Sequence, residues 1–496
     1  MKIGNIPVIA GCVIMAAASP ARADTLHAGG NTDGRDFDGD ISASFSNLDL
    51  SASAVPDNYI IGGNATVNGY TGAVNGSVEA TLSNVNLGAS GCVVGGNYSY
   101  PNWSQQIEGT VGAISGDITL NLDNVLAYNV YGGNMISSVV KDADYSALPS
   151  GVENLTINID GADTNIARAV RASNAYNGYN DTAALAGTAI KNATVNMKNG
   201  YVGTIMPVTG GNYAGNVAVN VSGGEVGTII GSIGGIIGGN YSINISGGKI
   251  TGDVVGGFEP AEGERNSSAV KGDVSITVGS SENKVSIGGD IIAGGMDSAT
   301  KVEGGASVAF VGSGENLDFA GTVYASGKDG STVLGAKTAA FGNAEQSFTG
   351  TFRGEISGFD RLIVGSGSDV LLEKSAALET LSIYSDAKIG FAAAEAGAAQ
   401  NLSFDNLEII LADSFQDGGS VDFTEIFGET ISLAGISEDK VSVTNSSGAA
   451  VAGFDFAKDS DGNITGISNV VIPEPLSAAA ALGAFALFLA ACRKRK

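Results

Sequence analysis

The chain has 496 residues, 74 of them glycine, and a formal net charge of −26 from 51 acidic against 25 basic residues. Hydrophobic residues make up 43%, too many for a disordered chain, and glycine follows no three-residue period, which excludes collagen. So acidic a surface repels nucleic acid, and with Cys12 and Cys492 in the two ends expected to be removed, Cys92 and His27 supply too few ligands for a structural zinc site.

In chain order, Lys2 precedes a mostly apolar run from Ile3 to Ala18, and Ala21-Arg22-Ala23 has the small-x-small form of a signal-peptidase site. Residues 1–23 are expected to be a signal helix, cleaved so that Asp24 begins an exported chain. Ile9-Ala10-Gly11-Cys12 also fits a lipoprotein box, but the apolar run continues through Val13, Ile14 and Met15 behind a single charge, which favours ordinary cleavage. Cys12 and Cys492 fall in removable ends, so the exported part keeps only Cys92 and His27, and one cysteine forms no internal disulfide. Residues 24–58 are read as an N-terminal segment or cap. His27 stands near its start, a poor place for the base of a Ser-His-Asp or Cys-His site. Asp33, Asp36, Asp38 and Asp40 fall short of a calcium loop's ligand pattern and are expected to form a turn or solvated face.

Residues 59–341 carry internal repeats, the strongest indication of fold. One element is an apolar pair before Gly-Gly-Asn: Ile60-Ile61-Gly62-Gly63-Asn64, Val93-Val94-Gly95-Gly96-Asn97, Val130-Tyr131-Gly132-Gly133-Asn134 and Ile236-Ile237-Gly238-Gly239-Asn240. Val254-Val255-Gly256-Gly257 and Ile292-Ala293-Gly294-Gly295 are looser copies. A second element alternates at period two, as in Val217, Val219 and Val221 before Ser222-Gly223-Gly224, and Ile243 and Ile245 before Ser246-Gly247-Gly248. The step between those two copies suits one coil of about three five-residue strands with three short turns. Glycine is expected to supply positive φ at the corners, and the asparagine after Gly-Gly to tolerate the same region and stack as an amide ladder. The expected fold is all-β, a parallel β-solenoid (β-helix) in which each coil buries its apolar face on the next. Alternation alone does not separate parallel pairing from antiparallel hairpins. Longer repeat spacings are read as loops leaving one corner, at Asp160 to Ala189 and at Phe258 to Lys271. Cys92 reads as a small core residue. Trp103, with Tyr98 and Tyr100, is the one local aromatic cluster that would suit a binding platform, although the two tyrosines are expected to be packing residues.

In residues 342–470 Gly-Gly corners become rare, and Leu362-Ile363-Val364, Leu381-Ser382-Ile383 and Leu407-Glu408-Ile409-Ile410-Leu411 read as strands. This C-terminal β region either continues the coils or caps their open end; Ala392 to Gln400 reads as a short helix or loop. Asp459, Asp461 and Asn463 resemble half a calcium loop, yet Asp461-Gly462 between apolar strands is also an ordinary hairpin turn.

Residues 471–496 combine Pro473-Glu474-Pro475, an uncharged run from Leu476 to Cys492 with the length of a marginal transmembrane helix, and the basic cluster Arg493-Lys494-Arg495-Lys496, which would stay cytoplasmic. Together these resemble the PEP-CTERM sorting signal recognised by exosortases. The resemblance implies a membrane protease that cuts near Pro473-Glu474-Pro475 and passes the protein from an inner-membrane intermediate to the cell surface or beyond, in bacteria that make extracellular polysaccharide. From Ile60 to about Gly327 the repeats resemble passenger regions of autotransporter-like adhesins, although no membrane barrel follows. With no catalytic, cofactor or metal constellation in the sequence, the expectation is a non-catalytic structural or adhesin-like surface protein. Its partners would be the sorting protease and extracellular polysaccharide or another cell surface. The alternative is a polysaccharide-active β-helix lyase or hydrolase, which would need paired carboxylates on one outer face. Lys191 through Gly257, with only Lys191, Lys198, Glu225, Lys249 and Asp253 charged, offers no such pair.

Overall fold

The structure is a computed structural model. It describes residues 25–51, 58–66, 70–99, 110–136, 152–176, 190–209, 213–233, 235–258, 269–296, 300–327, 330–392, 400–428, 431, 433 and 436–472. The expected signal cleavage site (Ala21, Ala23, Asp24), sorting motif (Pro473, Glu474, Pro475), membrane helix (Leu476 to Cys492) and basic tail (Arg493 to Lys496) lie outside these residues. Among the described residues no helix is long and apolar enough to cross a membrane.

The fold is all-β and its strands pair in parallel except in one small sheet near the C-terminal end. Along Tyr213–Ile233, Val217, Val219 and Val221 point inward and Asn220 outward, because successive side chains of a strand alternate faces. Their partners are Tyr241, Ile243 and Ile245 of the next strand, with Asn244 opposite Asn220. The same pairing carries this ladder from Ile41–Asp49 through Val78–Asn86, Ile118–Tyr131 and Asn154–Asp160 to Leu402–Leu411 and Val441–Asn445. The chain returns to it after as few as 19 residues, from Arg361 to Thr380, and after as many as 40, from Val78 to Ile118. It continues past residue 342, since Lys337–Phe341 pairs with Arg361–Val364.

A second parallel ladder aligns Ile60, Val93, Val130 and Val170, and further on Val254, Ile291 and Val323. A third aligns Ile236–Ile237, Ala269–Val270, Lys301–Val302 and Thr332–Val333. The inward residues of all three merge into one core of Val, Ile and Leu, with Phe310, Phe341, Phe348 and Phe352 packed ring to ring towards the C-terminal end. Each fully buried side chain of this kind contributes about 1.5–3 kcal/mol of apolar transfer energy.

Two expectations about connections change. Asp160 to Ala189 is not one loop: Asn165–Arg171 is a strand of the second ladder and Ala175–Tyr176 a strand of a small side sheet, leaving 177–189 outside the described residues. Of Phe258 to Lys271, Ala269–Val270 is likewise a strand. The side sheet stacks Ala65–Thr66, Tyr98–Ser99, Met135–Ile136 and Ala175–Tyr176. It buries the second ladder's outward residues Ile61, Cys92, Val94 and Tyr131 in a second core with Tyr98 and Met135.

The Gly-Gly-Asn motif serves two different corners. At Ile60, Val93 and Val130 it leaves the second ladder, whereas Ile236-Ile237-Gly238-Gly239-Asn240 leaves the third ladder and leads into Tyr241–Ile250. Of the two repeated corner motifs, Ser-Gly-Gly is the one that takes positive φ, at Gly224 (76°) and Gly248 (86°). The glycines before Asn64, Asn97 and Asn134 have ordinary φ and are required by close approach instead: a Cβ on Gly95 would lie 2.2 Å from the carbonyl oxygen of Gly132 on the next strand.

After Val441–Asn445 the mode of pairing changes. Val421–Asp422, Gly453–Lys458 and Ile464–Val471 form a small antiparallel sheet, joined by the short helix Phe423–Phe427, which Asp422 caps. Phe423, Ile426, Phe427, Ile467 and Val470 enter the main core, so this unit covers the apolar end of the ladders. The C-terminal region therefore first continues the stack and then closes it, which protects strand edges from further pairing.

Candidate functional site

The feature repeated most regularly on the surface is the outward face of the long ladder. One column aligns Thr119, Thr156, Thr194, Ala218, Ser242, Ser275, Ser307 and Thr338. Beside it Asn158 Nδ2 donates to Asn121 Oδ1 (2.8 Å), Asn196 to Asn158 (2.9 Å) and Asn220 to Asn196 (2.9 Å). Strands in a sheet lie about 4.8 Å apart, so this face presents hydroxyls and amides at that interval along its length. Asn121 Nδ2 is taken up by Glu79 Oε1 (3.3 Å) and Thr81 Oγ1 (3.2 Å), whereas Asn158 and Asn196 each keep a second amide hydrogen for an external partner. Shallow depressions of about 400 Å³, between Asn121 and Lys198, and about 860 Å³, between Ser242 and Thr338, follow the face.

Asparagine plays two further parts. After Gly-Gly, Asn64, Asn97 and Asn134 are at most 1% exposed and stack side chain to backbone rather than amide to amide. Asn97 Oδ1 accepts from Asn64 N and Asn134 Oδ1 from Asn97 N, both at 2.8 Å. The column begins at Asn31, whose N donates to Asn64 Oδ1, and ends at Asn174; the unremarked Gly29-Gly30-Asn31 was the signal for its start. None of these is left-handed. Left-handed asparagines form a different column, Asn47, Asn84 and Asn124 (φ 53–54°), marked only by Asn before Leu or Val, with Asn469 (φ 49°) apart from it.

The sequence candidates separate. Asp36 Oδ1 accepts from Ala73 N, Asp40 Oδ1 from Ser77 N and Asp38 Oδ1 from Asn75 Nδ2, so these carboxylates bind the first strands to the next ones, while Asp33 pairs with Arg35. Asp459 accepts from Asp461 N and Asn463 N inside the turn joining Gly453–Lys458 to Ile464–Val471. Among the described residues no group of three or more His, Cys, Asp or Glu is placed to hold a metal ion. Cys92 is 6% exposed in the second core. Tyr98, also buried there, packs its ring 4.9 Å from Tyr59; Tyr100 and Trp103 lie outside the described residues. His27 ends the first strand of the second ladder, in register with Ile61. Of the charged residues between 191 and 257, Lys191 pairs with Glu153 (2.5 Å) and Lys249 with Glu225 (3.4 Å) across adjacent strands.

Several carboxylates are held below their usual range. Lys271 hydrogen-bonds Glu303, Arg35 hydrogen-bonds Asp33, and the amides of Asn199 and Asn463 do the same for Asp160 and Asp459. Groups depressed in the folded state stabilise it above their unfolded pKa, and that contribution is lost as pH falls through the folded value. Neutralising the surplus of carboxylates meanwhile relieves self-repulsion. The melting temperature should hold or rise from pH 7 to about 4.5 and fall below about pH 4; a continued rise to pH 2 would show that these bonds add nothing.

Comparison with protein-family models, with curated proteins and with solved structures gave no match for this chain.

Proposed function

We propose that the parallel ladders wind as a β-solenoid and that the protein is an exported, non-catalytic scaffold displayed at the cell surface or in the extracellular matrix. The observation that carries this reading is the long ladder itself, which repeats one outward pattern of short hydroxyl and amide side chains from strand to strand. Such a face suits adhesion, by many weak contacts along a stiff body, better than conversion of a substrate at one point. Export and sorting rest on the sequence: an exosortase-type membrane protease would process the chain at Pro473-Glu474-Pro475, with Leu476 to Cys492 as the transient anchor and Arg493 to Lys496 inside.

Mass spectrometry of the protein extracted from intact cells tests the sorting step. The expected result is a C-terminus within or next to Pro473 to Pro475. An intact Arg493-Lys494-Arg495-Lys496 tail would make the chain a simple membrane-anchored protein and remove the sorting step. Hydrolase or lyase activity in the purified protein would overturn the non-catalytic reading.

A further inference from the structure

The third depression on the long ladder's outward face differs from the others. It encloses about 870 Å³ and shares Ser307 and Thr338 with the depression before it, so the two are continuous. Its floor is apolar, because at successive strands the outward positions hold Ala309, Ala340 and Ile363, with Tyr384 beside them. The two alanines make the hollow: larger residues there would bring the surface level with its surroundings.

The rim is polar. Ser366 Oγ donates to Asp386 Oδ2 at 2.7 Å, and Ser446 Oγ donates to Asp413 Oδ1. Among the described residues no other hydrogen bond reaches these two carboxylates, which leaves Asp386 Oδ1 and Asp413 Oδ2 open to a ligand. The nearby cation is engaged: Arg361 Nε donates to Ser382 Oγ (2.7 Å), and its guanidinium meets Glu408, which also accepts from Ser382 (2.8 Å). No free positive charge therefore faces the hollow from this network, and two aspartates do.

We propose that this hollow binds a pyranose unit of an uncharged polysaccharide, with the chain running on along the hydroxyl and amide columns. A pyranose ring has an apolar C–H face and an equator of hydroxyls. An apolar floor that includes an aromatic ring matches the first, and carboxylate acceptors at the rim match the second. The charge of the site and of the whole chain selects against uronate-rich or sulfated polymers. This assignment rests on the reading of the chain as an exported, non-catalytic scaffold and names what that scaffold holds.

The test is affinity electrophoresis of the full chain, in mild detergent, through gels containing a neutral β-glucan, a galactomannan or a polyuronate. At least one neutral polymer should retard the protein and the polyuronate should not. Ala340→Arg fills the floor from the solvent side and should weaken retardation about tenfold or more, while Thr332→Arg, exposed on the third ladder and away from this face, should leave it unchanged. Should Ala340→Arg lose its far-UV circular dichroism, the double variant Asp386→Asn/Asp413→Asn, altered only at exposed side chains, must show the loss instead. Retardation by neither neutral polymer, equal retardation by the polyuronate, or equal effects of Ala340→Arg and Thr332→Arg overturns the site. New reducing ends in the same mixtures would overturn the non-catalytic reading while leaving the hollow as the binding site.

Discussion

Replacing Asn97 with alanine should destabilise the protein by about 2–4 kcal/mol, a loss visible as a lower urea midpoint. Asn97 is fully buried, and its side chain serves both neighbours. Oδ1 accepts from Asn64 N at 2.8 Å, and Nδ2 donates to Gly112 O at 3.0 Å. Truncation leaves the Asn64 N–H without an acceptor in a place water does not reach, and a buried orphan donor costs its full desolvation. Asn97→Asp keeps that acceptor but sets a carboxylate oxygen against the Gly112 carbonyl, so it should cost at least as much near neutral pH. Its carboxyl pKa would be raised in the folded state, and the deficit should shrink as pH falls towards about 4, where the protonated acid can donate to Gly112. Asn158→Ala, in the half-buried outer column, should cost less than about 1 kcal/mol, because water replaces the lost partners. Equal costs for Asn97→Ala and Asn158→Ala would refute the account of the buried column.

Gly95→Ala should cost about 1–3 kcal/mol, at the upper end of that range, although alanine is the better residue on backbone entropy. The new methyl would lie 2.2 Å from the carbonyl oxygen of Gly132 and 3.0 Å from Ile118 Cγ2. Neither can retreat easily: the strand separation is set by ladder hydrogen bonds, including Gly95 N to Tyr131 O at 2.7 Å, and Ile118 is fully buried. Gly453→Ala is the contrast. That glycine has ordinary φ and nothing within 4 Å of a Cβ, so the change should be neutral or stabilising by a few tenths of a kcal/mol. Paired denaturation curves decide: similar midpoints for the two variants would mean that the Gly-Gly corners are not set by close approach.

These two residues also show how far the local pattern can be read. Gly95 and Asn97 stand out in the sequence as a repeated corner, and the corner suggests a positive φ for the glycine and an amide-to-amide ladder between coils for the asparagine. The operative reasons lie on neighbouring strands, in the Gly132 carbonyl and the Asn64 N–H. The same limit explains the other differences. Ile236-Ile237-Gly238-Gly239-Asn240 repeats the motif letter for letter in kind yet turns a different corner, and Asn165–Arg171 hides a strand in a segment whose exposed Ala167 and Arg168 break the apolar alternation. The hollow at Ala340 had no signature at all, since alanine on an outward position is unremarkable until its neighbours on the adjacent strands are known.

By itself, the sequence determined that the chain is β-rich, that its strands alternate an apolar and a polar face, and where many of its corners fall, because those properties belong to residues a few positions apart. Parallel pairing, the second core beneath the side sheet, the antiparallel unit closing the far end and the hollow on the outer face were decided only by tertiary structure. Each depends on which strand lies beside which, and in the parallel ladders that neighbour stands 19 to 40 residues away, beyond the reach of any local period.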